Sequence, residues 1–101
     1  MVNSQEWLNK NFPLKERSQV ITIFAVNKRL EGKLIIENFP NLESLQCGSN
    51  NNLTELELNN LPKLNYIHAN HCQLTNIRFI DHFDQFLNLF EIHVLQFNNE
   101  F

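Results

Sequence analysis

His68, His71 and Cys72 fall close together, with His82 and His93 downstream and Cys47 upstream. Imidazoles and thiols at that density suggest zinc, which takes three or four ligands converging at about 2.0–2.3 Å. The local pattern argues against convergence. Tyr66-Ile67-His68 alternates polar and apolar side chains as a strand does. Alternation directs His68 outward, leaves His71 in the following turn and turns Cys72 inward, so no metal is expected. The same divergence dismantles a Cys–His nucleophile pair, since a buried Cys72 has no adjacent base and no evident oxyanion donors. Asp81 and Asp84 form the one close Asp pair, in a loop or short helix where solvation is the default. No acid–base pair is held in a pocket. The sequence therefore predicts no catalytic residues, no cofactor and no enzyme.

The elements that must position these groups come from the whole chain. It has 101 residues and a mass of 12.0 kDa, with 43% hydrophobic and 19% charged residues. That is one globular domain. A net charge of −3 and a pI near 5.7 argue against nucleic acid as a partner. No apolar run approaches the length of a membrane span. Two glycines are too few for a phosphate-cradling loop. Two cysteines do not make a disulfide framework. The opening MVNSQEWLNK lacks the basic and apolar regions of a secretory signal. The expected setting is intracellular, in the cytoplasm, with both thiols free. The compositional anomaly is asparagine, which outnumbers even leucine.

Self-comparison at the step from Val20 to Leu42 to Leu64 accounts for the leucines. Val20-x-x-Ile23-x-Ala25 becomes Leu42-x-x-Leu45-x-Cys47 and then Leu64-x-x-Ile67-x-Ala69. Leu30, Leu53 and Leu74 follow in turn. Leu34-x-Ile36 with Phe39-Pro40 parallels Leu56-x-Leu58 with Leu61-Pro62, and then Ile77-x-Phe79. A fourth unit at the same step would bring Glu91 to the inward position of Ala25, Cys47 and Ala69, where an unpaired carboxylate is costly. One inserted residue near Asp81–Gln85 relieves this and gives Leu87-x-x-Phe90-x-Ile92, with Phe97 following.

The units "LESLQCGSNNNLTELEL" and "LNYIHANHCQLTNIRF" resemble the leucine-rich repeat, Leu-x-x-Leu-x-(Leu/Cys)-x-x-(Asn/Cys)-x-Leu. Asn50 and Cys72 fall at the Asn/Cys position. Two departures stand out: Lys28 occupies that position in the first unit, and the second unit has one more Asn before Leu53. The opening "QEWLNKNFPLKERSQVITI" with "NKRLEGKLIIENFPNLESLQC" is similar to the repeat regions of an expanded fungal group, often found with kinase-like domains. The likeness covers roughly residues 5–80, and no kinase motif occurs in this chain.

The expected fold is an α/β-type or mainly β solenoid. It would be a short, right-handed leucine-rich-repeat coil of three to four units, each of about 22–23 residues, within the span usual for such repeats. Residues 1–19 would form an N-terminal capping helix and turn. Residues 20–86 would hold three units starting at 20, 42 and 64, and residues 87–101 an irregular terminal repeat or cap. Asn3 or Ser4 caps the helix, with Asn3 and Glu6 at capping-box spacing. Trp7, Leu8 and Phe12 give it an apolar stripe, and Pro13 ends it. The turn asparagine is expected to bond backbone groups. The second alternating stretch of each unit is expected to form a shorter strand on the opposite side. Phe79, Phe83, Phe86, Phe90, Phe97 and Phe101 crowd the last third, either as an aromatic cap or as an interrupted array. An uncovered last unit implies self-association through the C-terminal end.

Outward positions recur with the units. Thr22, Ser44, Tyr66 and Leu89 form one column, Phe24, Gln46, His68 and Glu91 the next, and Val26, Gly48, Asn70 and His93 a third. Aromatic, amide and imidazole groups with few charges suit a protein-binding surface. The expected function is a non-catalytic protein-interaction module whose ligand face comprises Phe24, Gln46, Tyr66, His68, Asn70, Glu91 and His93, with Tyr66 at its centre. The alternative is a structural fragment of a larger repeat or kinase-associated chain with no ligand of its own. Glu37, Glu55 and Glu57, near Lys33 and Arg78, read as a solvated charged edge.

Overall fold

The computed structural model describes residues 1–80 and, at the level of backbone pairing, 91–93. Asn3 accepts a hydrogen bond from the Glu6 N–H at 2.9 Å. It thereby caps an eight-residue helix, α1 (Ser4–Asn11), which ends at Phe12 just before Pro13. A 3-10 helix (Leu14–Gln19) follows. Strands β1 (Val2–Asn3), β2 (Thr22–Phe24), β3 (Leu30–Ile36), β4 (Ser44–Gln46), β5 (Asn52–Asn59), β6 (Tyr66–His68), β7 (Asn76–Ile80) and β8 (Glu91–His93) complete the described chain.

The strands separate into two parallel sheets, ordered β1-β3-β5-β7 and β2-β4-β6-β8. The chain alternates between them, so each pass adds one strand to each sheet. Ile23 pairs with Leu45, and Leu45 with Ile67. These three are fully buried, as are Ala25, Cys47 and Ala69 two residues on. The inward residues of both sheets share one core. Apolar residues at every second position are what strands with one buried face require.

The strands of the second sheet are the short ones, three residues each, while β3, β5 and β7 have seven, eight and five. This reverses the expected lengths. After Phe24, Gln46 and His68 the chain bends within three residues, through left-handed conformations at Asn27 (φ 55°), Ser49 (φ 57°) and His71 (φ 65°). These positions are equivalent in successive passes. Asn38 (φ 68°) and Asn60 (φ 52°) form a second such pair, one residue before Phe39-Pro40 and Leu61-Pro62. Asparagine tolerates this region better than most residues, which gives several of the asparagines a structural reason. The irregular spacing of the second unit is taken up inside a strand pair. The β3–β5 register slips between Gly32↔Leu53 and Lys33↔Glu55, leaving Thr54 as the inserted residue.

The fourth unit also sits differently. Ile92, not Phe90, pairs with Ile67, so Glu91 lies opposite Tyr66 and His93 opposite His68. The connection exceeds the regular step by three positions rather than one. Inward–outward alternation has period two, so a slip of two preserves it. Composition cannot separate the two registers. Leu89 and the phenylalanines after Phe79 lie outside the described residues, as does the C-terminal cap.

The start of the chain covers the outer edge of β3. β1 pairs with Leu30 and Glu31. Ser4 Oγ donates to Glu31 O at 2.7 Å. Gln5 accepts from the Ile35 N–H at 2.8 Å and donates to the Ile35 carbonyl at 3.2 Å, so its amide stands in for a neighbouring strand. Trp7 is half-buried and meets Phe12 edge-on at 6.0 Å, while Phe12 meets Phe39 at the same distance. We expect Gln5→Ala to lower stability by about 1–2 kcal/mol, the usual cost of leaving such groups unpaired. Gln5→Glu should cost at least as much, because a carboxylate oxygen would face the Ile35 carbonyl. The urea midpoint at unchanged slope measures both.

Candidate functional site

Three strands present one side to solvent. Thr22, Ser44 and Tyr66 make one register row, and Phe24, Gln46 and His68 the next. Neither row contains Lys, Arg, Asp or Glu. Phe24 is 58% exposed, which is unusual for a large apolar side chain. Tyr66 and His68, two residues apart on β6, hold their rings parallel to within 4° at a centroid distance of 6.5 Å. Gln46 Nε2 donates to Ser44 Oγ at 3.4 Å. Beneath these rows lie Ile23, Leu45 and Ile67, which leave the floor no room to collapse.

The third expected column departs from this face. β2, β4 and β6 end at Phe24, Gln46 and His68, so Val26, Gly48 and Asn70 belong to the turn beyond the sheet. Gly48 is buried there. A Cβ on it would lie 3.0 Å from Asn70 O and 3.1 Å from His68 Cε1. Gly48 thus leaves room for the His68 ring to lie against the backbone. Glu91 and His93 occupy the register positions next to Tyr66 and His68, one row earlier than the sequence suggested.

The turn behind the face is organised by Asn50, which is fully buried. Its Nδ2 donates to Ala25 O and Cys47 O, both at 2.8 Å, and to Gly48 O at 3.2 Å. Its Oδ1 accepts from the Lys28 N–H at 2.9 Å and the Leu30 N–H at 3.1 Å. One amide therefore joins its own turn to the turn of the preceding pass. Cys72, at the equivalent place in the next pass, repeats part of this: its Sγ donates to Cys47 O at 3.3 Å. The residue at this position reaches the carbonyl of the pass before it. The first pass has none before it, which explains why Lys28 can stand where an asparagine was expected.

The tempting metal and nucleophile groups are dispersed. His68 lies on the outward face, His71 in an exposed left-handed turn, and Cys72 in the core. Among the described residues no three His, Cys, Asp or Glu side chains gather as a metal site. Burial pushes the Cys47 thiol well above the ordinary range and also raises that of Cys72, which disfavours the thiolate at both. Both are free.

On the first sheet, Glu57 binds Lys33 Nζ at 3.0 Å and has Arg78 at 3.8 Å. The Lys33 hydrogen bond leads in holding the Glu57 carboxyl below the usual carboxylate range. Asn59 Nδ2 donates to Glu37 Oε1 at 3.2 Å and Glu57 Oε2 at 3.4 Å. The neighbouring groove, about 450 Å³ in volume, runs between the Phe39-Pro40 and Leu61-Pro62 turns. Among the described residues, Glu37 is its one titratable lining group.

Arg17 was not distinguishable in the sequence from its neighbours Lys15 and Glu16. It is only 3% exposed. Its guanidinium donates to Phe12 O at 2.7 Å, Glu37 O at 3.0 Å and Asn9 Oδ1 at 2.9 Å, and lies 4.8 Å from the centre of the Phe39 ring. Desolvation lowers its pKa, against the opposing pull of Glu37. It is a structural clasp joining α1, the 3-10 helix and the end of β3.

No described helix is long and apolar enough to cross a membrane. No protein-family model, curated protein or solved structure matches the chain.

Proposed function

We propose that the chain is a non-catalytic protein-interaction module: a short solenoid of leucine-rich-repeat type whose outward β2–β4–β6 face binds a protein ligand inside the cell. The carrying observation is that face itself. Over β2, β4 and β6 it is free of Lys, Arg, Asp and Glu, with Glu91 following only at the β8 end of the Tyr66 row; it bears an exposed Phe24 and parallel Tyr66 and His68 rings, and rests on fully buried residues. Charge depletion with aromatic enrichment is the compositional mark of an interface centre. Side chains already held on packed strands lose little freedom on binding. The recurring register of Ile23, Leu45 and Ile67, and the Asn50 and Cys72 contacts, support the repeat reading.

Affinity capture with the intact chain, followed by mass spectrometry, tests this. The Tyr66→Ala/His68→Ala double variant should weaken retention of specifically captured protein by about 30-fold or more, the scale of losing a hot spot. Equal retention by the folded double variant would reject this face. That result would favour a structural piece of a larger repeat-containing chain.

A further inference from the structure

Both sheets add strands in chain order, so β2 heads one sheet as β1 heads the other. The two starts are finished differently. β1, Ser4 and Gln5 cover β3, whereas among the described residues no strand pairs with the outer side of β2. Ile21 O accepts from the Glu43 and Ser44 N–H groups, and the Ala25 N–H donates to Gln46 O, so the odd-numbered residues serve β4. By the alternation of a parallel ladder, Thr22 and Phe24 turn their N–H and carbonyl groups outward. Both residues are exposed, which leaves their backbone donors and acceptors spaced for one more strand.

The side chains along this edge differ from those of the strands behind it. Ile21 stands where the next passes carry Glu43 and Asn65, and Phe24 where they carry Gln46 and His68. Ile21 is 47% exposed and Phe24 58%. A terminal strand that faces water is ordinarily more polar than the strands inside the array, or is blunted by lysine or proline. Here the edge strand is the more apolar one at both positions, the composition of a contact surface rather than of a solvated end. Charge selects the kind of neighbour. Lys28 and Arg29 lie exposed in the turn that β2 leads into, and residues 1–30 contain five basic side chains against two acidic ones, a net of +3. The same edge of a second copy would set like charge against like charge, whereas an acidic segment is attracted.

We propose that the β2 edge adds one strand from another protein, an extended segment that carries carboxylates and a large apolar side chain. Its backbone pairs with Thr22 and Phe24, its apolar side chain lies against Ile21 or Phe24, and its carboxylates reach Lys28 and Arg29. Main-chain pairing supplies the affinity, and the two cations supply the preference for acidic sequence. The edge is separated from Tyr66 and His68 by β4, so the proposal does not rest on that pair of rings.

Nuclear magnetic resonance on the isotope-labelled full chain tests this with two end-blocked peptides, one of alternating glutamate and valine and one of alternating lysine and valine. The acidic peptide should bind with a Kd of about 10–300 µM, at least about tenfold more tightly than the basic one. At saturation, amide exchange at Thr22 and Phe24 should slow at least about tenfold, with Ile23, already bonded to β4, unchanged. Thr22→Pro removes an outward N–H and no bond to β4, a change an edge strand tolerates, and should weaken the acidic peptide at least about tenfold. Lys28→Glu/Arg29→Glu should reverse the preference between the peptides. Tyr66→Ala/His68→Ala should leave it unchanged, so a failure here is distinguishable from a failure of the outward face. No binding of the acidic peptide at about 1 mM, equal binding of the basic one, full binding by the folded Thr22→Pro variant or an unreversed preference in the Lys28/Arg29 variant would each overturn the proposal. So would slow exchange at Thr22 and Phe24 with no peptide present. The edge would then already be filled, by a second copy if sedimentation finds a dimer and by the chain's own residues if it finds a monomer.

Discussion

Replacing Asn50 with Ala should destabilise the protein by about 3–5 kcal/mol and lower its melting temperature by about 15–25 °C. The carboxamide bonds five backbone groups in two successive passes, all in a fully buried setting. A buried polar group left unpaired costs about 1–3 kcal/mol. Water entering the vacated space recovers some of this, so the five costs do not add. A domain of this length has about 5–15 kcal/mol in total, and each kcal/mol moves the midpoint by about 4–8 °C. Asn50→Asp sharpens the test. It keeps the shape and the Oδ1 acceptor but replaces the donor facing Ala25 O, Cys47 O and Gly48 O with a second oxygen. It should therefore be at least as damaging as Ala at neutral pH, and partly relieved as acid protonates it. Thermal unfolding at two pH values measures this; an Asp variant as stable as wild type would show that the three carbonyls have other partners.

Arg17 should give the second-largest loss. Arg17→Met keeps much of the packing against Phe39 but leaves Phe12 O, Glu37 O and Asn9 Oδ1 without the guanidinium donors. We expect a cost of about 3 kcal/mol. Arg17→Lys retains the charge but cannot span three acceptors from one planar fork, so it should recover less than half of that loss. The two variants separate geometry from charge. Near-complete rescue by lysine, read from urea unfolding midpoints, would mean that charge alone holds the clasp.

The frame was readable because its apolar positions repeat. Ile23, Leu45 and Ile67 carry enough information to fix both spacing and side. Asn3 and Asn50 were readable because a short amide at a turn has few other uses. Other features leave no such trace. The left-handed residues at 27, 49 and 71 are Asn, Ser and His, so conformation repeats where residue type does not. Gln5 serves the Ile35 backbone from 30 residues away, and nothing about a glutamine announces that. The register of the two outward rows was readable for β2, β4 and β6. The rows were misplaced where β8 slipped by two positions, and at positions 26, 48 and 70, where the short strands have already ended.

The stacking of successive passes is tested most directly by nuclear Overhauser contacts between methyl groups in Ile- and Leu-labelled protein. Neighbouring strands are about 4.8 Å apart, so cross-peaks should join Ile23 to Leu45 and Leu45 to Ile67. None should join Ile23 to Ile67, which lies two strands away. Absence of either neighbour contact, or a strong direct contact between Ile23 and Ile67, would contradict the stacked frame on which the proposed binding face depends.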